Sequence, residues 1–135
     1  MRILRRAGFG LLALVNLAWG GWALVAPVAF FRTFPGFGLH WTSAYPPYNP
    51  HLIFDLGATL VTLGVLFGLA AALDDRTVSW VVAVGTRTFG TLHFGYHALH
   101  PGPMGGADRA LSILSLIGGA LLPSALAATH HLRRA

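Results

Sequence analysis

Two short runs of this chain carry side chains that could bind a metal or move a proton: His51 and Asp55 in one, His93, His97 and His100 in the other. The spacing is i, i+4 in the first run and i, i+4, i+7 in the second, so on helices each run presents its polar groups on one face. Three chemistries fit such a set. A zinc, iron or copper ion would take His51, His93 and His97 as ligands, with His100 auxiliary and Asp55 as a ligand or as the base orienting a bound water. Haem held between histidines of two helices, or a quinone with one His as its proton partner, is the second. The third is an Asp/His proton relay reaching the surface. A di-iron carboxylate centre is disfavoured, because the chain contains no Glu. The alternative to all three is packing: His51 and His100 as interfacial residues beside Tyr48 and Tyr96, and Asp55 with His93 as a buried pair that fixes helix register.

The setting is what makes these residues costly. With a mean hydropathy of +0.64, 55% hydrophobic residues and 10% charged residues, the 135-residue chain does not have the composition of a soluble globular domain. Four apolar segments, about 7–27, 50–73, 77–99 and 108–128, are each near the roughly 20 residues that cross a bilayer core. One domain, an all-α integral membrane four-helix up-down bundle over 1–135, is the expected architecture. A cleaved signal peptide is the rival for the first segment, after Arg2, Arg5 and Arg6. Its apolar run exceeds the usual h-region of about 7–15 residues, and Pro27 follows the only suitable cleavage site, Ala26.

The net charge of +5 and pI near 11.2 come from arginines at segment ends, so nucleic acid is not needed to explain them. Arg2, Arg5, Arg6, Arg76, Arg133 and Arg134 share one side if both termini do, and Arg32 with Arg109 falls on the other. The positive-inside rule then places both termini in the cytoplasm and the protein in the cell membrane as a multi-pass chain. Without cysteine there is neither a disulfide framework nor a thiolate site.

Topology brings the polar residues together. The second segment runs inward and the third outward, so His51 and Asp55 begin one at the outer face while His93, His97 and His100 end the other there. At about 1.5 Å per residue, Asp55 and His93 both lie roughly 7–10 Å below the outer boundary. Segments two and three, joined by a very short turn, are expected to be antiparallel neighbours. Asn49 and Pro50 are strong start signals for the second segment. Asp108 is the expected cap of the fourth, Gly118-Gly119 its close-packing point and Pro123 its kink. Gly64 and Gly68 form a Gly-x-x-x-Gly pair, and Asn16 is expected to hydrogen-bond between helices.

Between Pro27 and Pro50 lies an aromatic loop with Phe34, Trp41, Tyr45 and Tyr48, suited to the membrane interface, with a short helix near 28–34 and the remainder folded over the outer mouth. Trp19, Trp22, Phe67, Trp80, Phe89 and Phe94 are expected as core and lipid-facing bulk. His40 is placed at the surface, and His130 and His131 against headgroups. Arg87, midway along the third segment, is expected to bond carbonyls of neighbouring spans or to snorkel inward, with an anion anchor as the functional option.

The arginine-rich start with Gly8 and Gly10, Ala26-Pro27-Val28-Ala29-Phe30-Phe31, and the run His51–Leu73 together resemble small four-span bacterial proteins of the DoxX-like type. The resemblance covers most of the chain and implies a compact four-helix membrane bundle without implying a reaction. The expectation is therefore a small membrane protein with a His/Asp metal site near its outer face. The alternative is a non-enzymatic subunit that assembles with itself or with another membrane protein.

Overall fold

The computed structural model describes residues 1–131, so Arg133 and Arg134 lie outside the described residues. Five helices account for most of it: α1 (Arg2–Val25), α2 (Pro27–Thr33), α3 (Pro50–Leu73), α4 (Arg76–Leu99) and α5 (Gly106–Ala128). The strands β1 (Pro35–Gly36) and β2 (Leu39–His40) form a small antiparallel hairpin in the loop before α3. Helices α1, α3 and α5 are long and apolar enough to cross a membrane. The expected fourth span, α4, has the length but is not among them, because it carries Arg76, Arg87 and the three histidines.

Local signals explain where helices begin and end. Asn49 caps α3 by accepting from the Leu52 N–H at 3.2 Å, and Pro50 takes the first helical position. Asp74 closes α3 in the left-handed conformation, φ 51°, which a short polar side chain tolerates. Asp75 then opens α4 by accepting from the Val78 N–H at 2.9 Å. Asp108, expected as a cap, sits within the first turn of α5, whose N-cap is Gly105. Its carboxylate instead accepts from the His40 backbone N–H at 3.4 Å.

The helices pack as two antiparallel pairs, α1 with α3 and α4 with α5, whereas α3 and α4 touch only slightly despite their short turn. The expected antiparallel adjacency of α3 and α4 is present, but as a slight contact and not as a packed pair. Glycine explains the preference. A Cβ on Gly20 would sit 2.7 Å from the Val61 backbone nitrogen, and one on Gly64 would sit 2.7 Å from Leu17 Cγ. Such close backbone approach supplies the packing of α1 on α3. Gly68 is slack in comparison. In the second pair, Gly90 of α4 meets Ala120 of α5, while Gly118 and Gly119 face open space, contrary to expectation.

Two apolar clusters result. One holds Phe9, Phe67, Val82 and Leu126 near the ends of α1 and α5 that carry Arg5 and Thr129. The other holds Ala23, Phe30 and Ile53 with the aromatic loop around them. The first is closed off by a polar knot. Arg5, 1% exposed, donates to Asp74 Oδ1 at 2.7 Å through Nε and 2.6 Å through Nη2, and to Thr129 Oγ1 at 3.2 Å. Arg2 adds an ion pair to Asp74 Oδ2 at 3.1 Å. Partial burial pulls the Asp74 pKa upward, but the Arg5 hydrogen bond and the charges of Arg5, Arg2 and His130 outweigh it and hold the carboxyl below its ordinary value.

Candidate functional site

At the opposite end the two helix pairs part, and the loop between α2 and α3 covers the gap. A cavity of about 250 Å³ remains between α1, α3, α4 and α5, lined mostly by apolar side chains. Trp19, Phe67 and Phe89, expected as inert bulk, form its walls, while Phe34, Trp41 and Tyr45 of the loop form its cover. The polar groups at its surface are few and uncharged in kind: Asn16, Thr42, Thr86, Ser112, Ser115 and the pair His93 and His97.

His93 and His97 reach the cavity because they continue the buried stripe of α4 that includes Ser79, Val82, Thr86 and Gly90. His93 stacks on Phe89 with ring centroids 5.4 Å apart and meets the edge of His97 at 4.7 Å. His97 Nδ1 lies 2.9 Å from the Tyr45 hydroxyl, which donates to the His100 carbonyl at 3.2 Å. A phenol has one proton to give, so with that proton on the carbonyl, His97 Nδ1–H is the donor to Tyr45 and Nε2 is left as an acceptor. Burial, assisted by Tyr96, pushes the Tyr45 phenol above its usual pKa despite Arg109, so it stays protonated at neutral pH. Trp41 adds an unsatisfied donor: its indole N–H is buried and finds no acceptor among the described residues.

The other sequence-predicted residues lie elsewhere. His51 Nδ1 lies 3.0 Å from Asp55 Oδ2, with 84% and 60% of their side chains exposed on the outward face of α3. His100 is exposed, stacks on Tyr96 and contacts the Tyr96 carbonyl at 3.1 Å through Nδ1. The five groups therefore share one end of the molecule but not one site. Among the described residues no group of three or more His or Asp side chains is placed to hold one metal ion. Asp55 lines a second, outward groove with Thr59 and Thr62; Leu63 and Phe89 line both this groove and the cavity, and so form the wall between them.

Smaller expectations change as well. Asn16 bonds the Leu12 carbonyl of its own helix at 2.9 Å. His130 Nε2 contacts Ser79 Oγ at 3.1 Å and His131 Nε2 contacts Arg76 at 3.3 Å, so both tie α5 to α4. Arg87 bonds no carbonyl among the described residues; its side chain is exposed midway along α4. His40 is at the surface, as expected, with Nδ1 2.8 Å from the Arg32 carbonyl. No family model, curated protein or solved structure matches the chain. The functional argument therefore rests on the site itself.

Two contributors had little sequence signal. Arg5 looks like Arg2 and Arg6 on either side, and only the fold sets it apart as the buried one. Tyr45 belongs to a loop with many aromatics, and nothing in its neighbours marks it as the partner of His97.

Proposed function

We propose that this chain is a four-span membrane bundle, termini on the cytoplasmic side, that binds an uncharged lipophile in the cavity beneath its outer loop. The ligand class is a ring-bearing molecule with a carbonyl or hydroxyl oxygen, such as a quinone or a phenol. The observation that carries this reading is the pairing of His93 and His97 with an aromatic, mostly apolar cavity. Apolar walls with a few convergent polar groups are the usual character of a small-molecule site. A ring would lie against Trp19 or Phe89, and its oxygen would meet His93, the His97 imidazole or the Trp41 N–H. The hydrogen bonds from His97 Nδ1 to Tyr45 and from Tyr45 to the His100 carbonyl hold the His97 ring so that Nε2 can accept a hydrogen bond from a ligand hydroxyl. Helix α4 contributes Thr86, His93 and His97 to the polar part of the cavity wall.

Two of the four tryptophans, Trp19 and Trp41, line the cavity, so indole fluorescence reports occupancy. With the protein in lipid nanodiscs, a short-chain benzoquinone should quench this fluorescence saturably. His93→Ala or His97→Ala should weaken the apparent affinity about tenfold, the equivalent of one lost hydrogen bond. Linear, unsaturable quenching that is identical in both variants would defeat the reading.

A further inference from the structure

The cavity is long for its volume. Its lining on α4 extends from Thr86 to His97, about 16 Å of helix, whereas a sphere of 250 Å³ is only about 8 Å across. It is a slot between the two apolar clusters, and its halves differ. At the inner end Leu12 and Leu63 line it and pack on the cluster of Phe9, Val82 and Leu126, to which the lining residue Phe67 belongs. At the outer end stand His97, Trp41 and Tyr45, with Ser112 about 9 Å along α5 from its start at Gly106. The hydroxyls follow the same division. Buried Ser79 and Thr86 each donate to the carbonyl four residues earlier at 2.7 Å, so Thr86 brings a bonded hydroxyl to the inner half. Ser112, 6% exposed, bonds nothing among the described residues. Trp41 Nε1 is the one enclosed side-chain polar atom there without a partner, so the unbonded Ser112 Oγ opens onto the cavity that it lines.

Gly119 stands where the halves meet, one turn beyond Ser115 on α5. Its backbone is helical, it lines the cavity, and a Cβ built on it would meet nothing within 4 Å. Glycine is a poor residue for a helix interior, and here neither a turn nor close packing calls for it. What the missing side chain supplies is room in the slot. Gly118, equally uncrowded, is not part of the lining.

We infer that the cavity takes an alkyl-substituted ring head-out, and that Gly119 sets which substituents fit. The ring and its oxygen lie beside His93, His97 and Ser112, and an unbranched alkyl chain runs inward past Gly119. The inference rests on the proposed ligand site and adds the class of substituent and its direction. A head that hydrogen-bonds belongs where donors and acceptors are unspent, whereas an alkyl chain needs none and suits walls of Leu12, Leu63 and Phe67. A side chain at position 119 would project into the path of the chain and leave the head's partners untouched. Such a clash excludes one substituent without weakening the common contacts.

Indole quenching in nanodiscs by benzoquinone and its methyl, propyl and pentyl derivatives tests this. Each ligand's apparent Kd in a variant is divided by its Kd in the unsubstituted protein, so that partition into lipid cancels. For Gly119→Leu the ratio should stay near one with benzoquinone and rise to about tenfold or more with the pentyl derivative. Gly118→Leu should leave every ratio near one. Gly119→Ala should unfold at no lower temperature, because alanine is the better helix former, and should give a smaller rise confined to the longer chains. It carries the test if Gly119→Leu does not fold. Ser112→Ala should weaken the whole series by one common factor; a factor that grew with chain length would place the chain outward and overturn the inference. Ratios independent of chain length at position 119, or the same rise in Gly118→Leu, would overturn it and leave the ligand site standing. Linear quenching of the unsubstituted protein by every member would overturn both.

Discussion

The two ends of this bundle treat their polar groups in opposite ways. At the Arg5 end, a buried guanidinium, a carboxylate and a hydroxyl close on one another within 2.6–3.2 Å. At the His97 end, two imidazoles border the cavity and the buried Trp41 indole N–H finds no acceptor among the described residues. Both arrangements put polar atoms into an apolar surround, where unpaired groups are expensive. The first is compensated internally and serves cohesion. The second leaves bonding capacity for something from outside, and that difference locates function better than the number of histidines at either end.

The contrast can be broken most forcefully at Arg5. Arg5→Ala leaves the half-buried Asp74 with only the exposed Arg2 as partner, and loss of one member of a fully buried pair, typically about 3–5 kcal/mol, sets the upper bound of the cost. Thermal unfolding in detergent should show that loss, while chains that remain folded should still quench with quinone. The second largest effect belongs to the helix seam between α1 and α3. Gly20→Ala drives a methyl into the Val61 and Gly57 backbones and should cost about 1–3 kcal/mol by the same assay, with no flexible side chain able to give way.

Acid tests the closed end without mutation. Because the folded Asp74 pKa lies below its ordinary value of 3.8, the stability it adds is complete above that value. It should disappear as pH falls below 3.8 and through the folded pKa. An unfolding midpoint measured from pH 6 to pH 2 should drop at the acid end, and Asp74→Asn should flatten this limb while lowering the plateau. Tyr45→Phe sharpens the open end: it removes one hydrogen bond to His97, worth about 0.5–1.5 kcal/mol, and should weaken ligand quenching more than it lowers the unfolding temperature. The smallest effect should come from Arg87→Leu. The side chain is exposed without a bonded partner among the described residues, so stability in detergent should change by no more than about 0.5 kcal/mol.

Much of the fold was legible in the sequence because its signals are local. Asn49-Pro50 starts α3 where capping chemistry places it, the helix after Pro27 is present, and the aromatic loop folds over the open end of the bundle. The pairing of helices was not legible, because it depends on which glycine faces which neighbour. Gly20 and Gly90 make close contacts, Gly118 and Gly119 make none, and nothing in their flanking residues distinguishes them. The candidate site was half legible for the same reason. The matched depth of Asp55 and His93 follows from counting residues, but their sharing of one site needs the rotation of each helix about its axis. The outward turn of His51 and Asp55 follows from the tight seating of the opposite side of α3 on α1.

Leu63 and Phe89 are the wall that the cavity shares with the outward groove of α3 and α4. In the proposed membrane placement, a partition built of only two side chains, between helices that touch only slightly, would make the lipid phase the reservoir for the proposed ligand. Occupancy would then follow how strongly a molecule partitions into the bilayer, so that a modest intrinsic affinity would fill the site in a membrane rich in the ligand. Rotamer motion of Phe89, which also carries His93 on its face, would couple admission through that wall to the orientation of the first imidazole the newcomer meets.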